Sequence, residues 1–202
     1  MVFSFRLDHT IEFFALSSPV IIASYLIMHS FFDKNFKGLI YLAGLMLTAG
    51  LSVAIKGMMP AKPWFPEERS PLCSLIDNSI KIDGLKSNPD LHSTLLSFTF
   101  IYLILPLLIS GDYSDHLPLI ITMSIVVAMN AIIKKKLRCT KLSDIIVGWF
   151  VGGILGFVYY IIISAVDNKV LYFSKTDSDA QKCGKKGPNK FVCKPKSPPS
   201  PS

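Results

Sequence analysis

Charge is scarce in this sequence. Asp, Glu, Lys and Arg make up 17% of its 202 residues, where soluble globular domains run nearer about 25%. That shortage excludes an ordinary soluble enzyme with a polar skin. A disordered chain is excluded from the other side, because half the residues are apolar and mean hydropathy is +0.46. Histidine is scarce as well, with four in the chain and none between positions 131 and 149. No Asn-X-Ser/Thr acceptor occurs, so nothing marks a glycosylated face. Only four cysteines are present, and Cys73, Cys139, Cys183 and Cys193 allow several pairings among which the sequence does not choose. Neither a metal site nor a cofactor is expected.

What the chain does have is long apolar runs. A bilayer core about 30 Å thick needs roughly 20 apolar helical residues. Five runs approach this, over residues 11–32, 38–59, 93–110, 117–133 and 145–166. The third and fourth are short, and they are split by Asp112, Asp115 and His116 with Gly111 as a breaker. The first is too long for a signal peptide and lacks a basic start, so it reads as a retained helix. The net charge of +7 and pI near 9.2 raise nucleic acid as a partner. The basic residues, however, lie between and after the apolar runs, so no specific nucleic-acid contact is expected. The chain reads as an all-α, polytopic membrane helix bundle over 1–166 and a basic, Lys/Pro/Ser-rich disordered tail over 167–202, in a membrane the sequence does not identify.

The runs fix a topology. Side one, which holds the start of the chain, also holds the loops 60–92 and 134–144. Side two holds 33–37, 111–116 and the tail. Side one carries 11 Lys and Arg residues when Lys56 is counted, and side two carries 10, eight of them in the tail. The positive-inside rule therefore gives no clear vote, and the densest local run, Lys134, Lys135, Lys136, Arg138 and Lys141 against two helix ends, favours side one in the cytoplasm. The tail reads as a solvated tether, or as a polybasic contact with anionic lipid or an acidic protein partner. Gly148, Gly152 and Gly156 recur at spacings of four on the last helix and let a neighbour approach closely, within the bundle or across a dimer.

Ionisable residues at helix ends gather on side one. Lys56 ends the second run and Lys62-Pro63 follows. His92 opens the third after Pro89-Asp90-Leu91. Asp144 opens the fifth behind the basic run. Lysines with a histidine and an aspartate suit an anionic headgroup, phosphate above all. Lysines at span ends also snorkel to the interface without any ligand.

The order of these clusters resembles the type-2 phosphatidic acid phosphatase superfamily, which includes haloperoxidases and glucose-6-phosphatases. Its first motif is a lysine, six residues, then Arg-Pro; Lys56-Gly-Met-Met-Pro-Ala-Lys62-Pro63 is similar, one residue shorter and with lysine for arginine. Its second, Pro-Ser-Gly-His, is similar to Pro89-Asp90-Leu91-His92-Ser93-Thr94. The third is Ser-Arg, five residues, His, three residues, Asp, often with Gly-Trp soon after. Ser143-Asp144-Ile-Ile-Val-Gly148-Trp149 matches its end. Counting back from Asp144, the histidine position holds Thr140 and the arginine position holds Lys134. The resemblance covers roughly residues 39–157. It implies a phosphatase-like helix bundle, usually of six helices against about five here, with one amino-terminal helix absent or a short helix within 60–92.

In the family the third-motif histidine attacks phosphorus, the aspartate orients it and the second-motif histidine protonates the leaving oxygen. By position, the resemblance makes His92 the acid, Asp144 the orienter and Thr140 the stand-in for the nucleophile. It makes Lys56, Lys62 and Lys134 the phosphate contacts, all meeting within about 10 Å, a few hydrogen-bond lengths. The departures matter as much. A threonine hydroxyl attacks poorly unless a base activates it, and Cys139 points away from the Thr140 direction. Asp90 and Leu91 replace the Ser-Gly pair, and an ionised aspartate repels phosphate. Lysine at both arginine positions keeps charge but loses bidentate geometry. The expected function is a catalytically silent relative, a membrane structural or phosphate-headgroup-binding component whose partners are membrane lipids. The alternative is an active lipid-phosphate phosphatase with a displaced nucleophile. A membrane protein of another family with chance motifs is the third possibility.

Overall fold

The apolar runs fold as five helices in the computed structural model, which describes residues 7–58, 73, 89–111, 116–167, 170–173, 183–185 and 191–193. They are α1 (Leu7–Phe32), α2 (Lys37–Met58), α3 (Leu91–Ser110), α4 (Leu117–Lys136) and α5 (Leu142–Val166). The shortest have 20 residues, which at about 1.5 Å rise span about 30 Å, the thickness of a bilayer core. All five are long and apolar enough to cross a membrane. This is the architecture of a multi-pass membrane protein. Large side chains such as Phe14, Phe32, Met58, Phe150 and Val166 point outward, as lipid-facing residues do.

The third and fourth spans are longer than their apolar runs suggested, because polar residues extend both. Asp90 caps α3 by accepting the Ser93 N–H at 2.9 Å, which starts the helix at Leu91. Gly111 ends it in the left-handed region at φ 79°. At the other end of the fold, α4 continues through Lys134, Lys135 and Lys136, cations well placed at a helix C-terminus.

The central helix is α3. In its membrane-crossing stretch 56% of residues are buried, against 22–33% for the other four. Its closest neighbour is α5, and glycine makes that approach possible. A Cβ added at Gly148 would lie 2.8 Å from the Asp90 carbonyl oxygen, and one at Gly156 would lie 2.8 Å from that of Phe98. One added at Gly152 would run into the Thr94 carbonyl. The glycine stripe is therefore spent inside the bundle.

Below this contact α2, α3 and α5 share an aromatic core. Tyr41, Phe98, Tyr102 and Tyr159 hold ring centroids 5.8–6.3 Å apart. The Tyr41 and Thr99 hydroxyls are hydrogen-bonded at 2.8 Å, and the Tyr159 hydroxyl donates to the Ile40 carbonyl at 2.6 Å. The α1–α2 turn closes on Ser30, whose hydroxyl oxygen accepts the Gly38 N–H at 2.9 Å. Past α5, residues 170–173 return to the bundle. Leu171 and Tyr172 are buried, and the Tyr172 hydroxyl donates to the Leu26 carbonyl at 2.9 Å. Farther on, β1 (Cys183–Lys185) and β2 (Phe191–Cys193) pair antiparallel, with Cys183 opposite Cys193.

Candidate functional site

Hydrogen bonds and ion pairs bring the start of α1, the start of α3, the end of α4 and the start of α5 to one end of the bundle. Their polar side chains are buried together there. Asp90, His92, Ser93, Thr94, Asn130, Lys134 and Asp144 are each at most 8% exposed. In a membrane protein such groups must satisfy one another.

The centre of the cluster is an ion pair. The Lys134 ammonium donates to both carboxylate oxygens of Asp90, each at 2.7 Å, with both side chains almost wholly buried. The same carboxylate accepts the Ser93 N–H at 2.9 Å and the Ser93 hydroxyl at 2.6 Å. The Asp90 N–H donates to the Asp144 carbonyl at 3.2 Å, which joins the start of α3 to the start of α5. Burial alone would raise the Asp90 carboxyl. The Lys134 charge, the neighbouring His92 and the hydrogen bonds from Lys134 and Ser93 outweigh it and hold the group well below the usual carboxylate range.

Around this pair lie the other motif positions. His92 is buried in the first turn of α3, close enough to act electrostatically on Asp90. Asp144 is buried in the first turn of α5; Ser143 donates to its Oδ1 at 3.4 Å, and its Oδ2 has no hydrogen-bond partner. The Thr140 hydroxyl is also buried without a partner, so no hydrogen bond joins it to Asp144. Lys56 is half-buried in the last turn of α2, and among the described residues it forms no ion pair with Asp90 or Asp144. Lys62 lies outside the described residues. The structure thus gathers His92, Lys134, Asp144 and Thr140 at one end of the bundle.

Two side chains at this end, Glu12 and Asn130, were not singled out in the sequence. Glu12, within the apolar run of α1, is 6% exposed, and Lys136 donates to its Oε1 at 3.3 Å. A lone carboxylate in an apolar run, with a cluster of lysines on the same side, was the available signal. Asn130, on α4, donates to the Ala15 carbonyl of α1 at 2.7 Å. Of the cysteine pairings left open by the sequence, the one between the two side-one cysteines is formed: Cys73 and Cys139, both buried, are joined by a disulfide with Cα atoms 5.4 Å apart. It ties Cys73 to the α4–α5 connection beside Thr140. The Cys139 N–H in turn donates to the Lys134 carbonyl at 2.9 Å.

Chemically, the cluster holds an acid–base candidate in His92, but no side chain is hydrogen-bonded to the Thr140 hydroxyl to take its proton. The cation best placed to face an anion already has one. Comparison of the chain with family models, curated proteins and solved structures finds no match.

Proposed function

We propose that this chain is a membrane protein built like a lipid phosphate phosphatase but catalytically silent, and that its polar cluster holds the helix ends together. The observation carrying this reading is the Asp90–Lys134 ion pair. Lys134 stands where the resemblance puts a phosphate contact, and its ammonium is bound by both oxygens of an internal carboxylate. Asp90 stands where the family has a serine that would hydrogen-bond phosphate. The two departures compensate each other: an anion built into the chain sits where a bound anion would be stabilised. Thr140 at the nucleophile position, with no partner on its hydroxyl, points the same way. Headgroup binding without hydrolysis then falls to Lys56 and Lys62 rather than to Lys134.

Phosphate release from phosphatidic acid by the purified protein tests this. Wild type is expected to be inert. Thr140→His alone is expected to stay inert while Asp90 occupies Lys134, and the Asp90→Ser/Thr140→His pair is the variant in which turnover would return. Turnover by wild type that His92→Ala abolishes would sink the reading and require a displaced nucleophile.

A further inference from the structure

The Cys73–Cys139 disulfide carries information about the membrane that the helices do not. Both cysteines belong to side-one connections, Cys73 between α2 and α3 and Cys139 between α4 and α5. The side-one end is fixed independently by the contacts of Glu12, Asp90, Lys134 and Asp144. Protein disulfides form and persist in oxidising compartments, whereas the cytosolic thiol pool keeps cysteines reduced. We infer that side one, with the Asp90–Lys134 cluster, faces the oxidising, non-cytosolic side of the membrane, and that the lysine-rich tail lies in the cytosol.

This reverses the orientation expected from the basic run at 134–141. The positive-inside rule counts Lys and Arg near the spans, and the two faces carry 11 and 10 of them, so it does not set the orientation. Lys134 is neutralised by Asp90 and Lys136 is paired with Glu12. Two of the five cations in the local run thus hold carboxylates at the side-one end. The tail keeps its eight lysines, all on side two. In the cytosol they face the leaflet rich in anionic lipid, which attracts basic residues near its surface. The buried cluster would then be next to the headgroups of the opposite leaflet.

The inference does not rest on the phosphatase-like reading, and an assay of phosphate release leaves it untouched. Its test uses the full chain with an epitope tag appended after Ser202, in sealed microsomes whose cytosolic face is outward. Thiols are blocked at harvest. Externally added trypsin is expected to remove the tag completely without detergent. Peptide mapping under non-reducing conditions is expected to recover the linked Cys73–Cys139 peptide. A tag protected until detergent is added would place side two in the lumen and overturn the inference. So would alkylated, unlinked Cys73 and Cys139, since the bond that sets the orientation would not exist in the membrane.

Discussion

Asp90 is the residue on which most of the side-one end depends. It caps α3, binds Lys134 and fixes α5 through its own N–H. Removing one member of a buried ion pair leaves an uncompensated charge, at a cost of about 3–5 kcal/mol, while replacing both by apolar residues is often neutral. Lys134→Met is therefore expected to lower unfolding stability in detergent by about 3–5 kcal/mol. The Asp90→Leu/Lys134→Met double variant should recover most of that loss apart from the cap, worth about 1 kcal/mol. Additive losses in this double-mutant cycle would show that the pair is not coupled.

The same residue sets an acid dependence. The Asp90 carboxyl is held below its ordinary value of 3.8. Its contribution is therefore complete above that value and is lost as pH falls through the lower, folded-state one. The stability gap between wild type and Asp90→Asn should be constant from pH 7 to 5. It should shrink only below the ordinary carboxylate range, as followed by thermal unfolding across pH. Sequence reading saw Asp90 as a residue that repels phosphate and Lys134 as one that binds it. Each was judged against an outside ligand, and their partnership across 44 positions left no local trace. Glu12 was hidden for a related reason: one carboxylate barely lowers the hydropathy of a long apolar run.

At the scale of elements, the five helices were legible because a membrane demands length and apolarity, and both are properties of the sequence alone. Their ends were less so. Leu91, His92 and the 134–136 lysines extend helices whose apolar runs had already stopped, since a cap and a favourable helix dipole outweigh local polarity. The glycine stripe was legible as a close approach but not as to its neighbour, which the structure identifies as α3. A side chain at Gly152 meets backbone, which cannot swing aside. Gly152→Val is expected to separate α3 from α5 and destabilise at the upper end of about 1–3 kcal/mol. Gly153→Ala is the control, because its Cβ would lie 3.4 Å from a rotatable Ser97 hydroxyl. A thermal shift for Gly153→Ala as large as that for Gly152→Val would rule out the packing account.

At the scale of the whole molecule, the bundle is closed by two connections that its composition does not announce. One is the segment 170–173. It precedes a lysine-rich tail and was grouped with it, although Leu171, Tyr172 and Phe173 are apolar and the Phe173 ring lies 5.0 Å from that of His116. The other is the disulfide, one of several pairings four cysteines allow. It spans 66 residues, and on the chain-entropy account a loop of that length contributes about 4 kcal/mol. Helices already held across a bilayer have less entropy to lose, so that figure is a ceiling. Cys73→Ser should lower the melting temperature in detergent, and Cys139→Ser should lower it equally, with no further loss in the double variant. Unequal single effects would mean that one cysteine contributes something besides the bond.

The ion pair also imposes an order on synthesis. Asp90 leaves the ribosome 44 residues ahead of Lys134, which at about 5–20 residues per second is an interval of roughly 2–9 s. During that interval α3 has a carboxylate at its entrance with no cation to meet it, and α4 must cross in the opposite direction before the charge is answered. The central helix of the finished protein is therefore among the last to settle. Its lasting seat in the bilayer depends on a helix that has yet to be made when α3 first arrives.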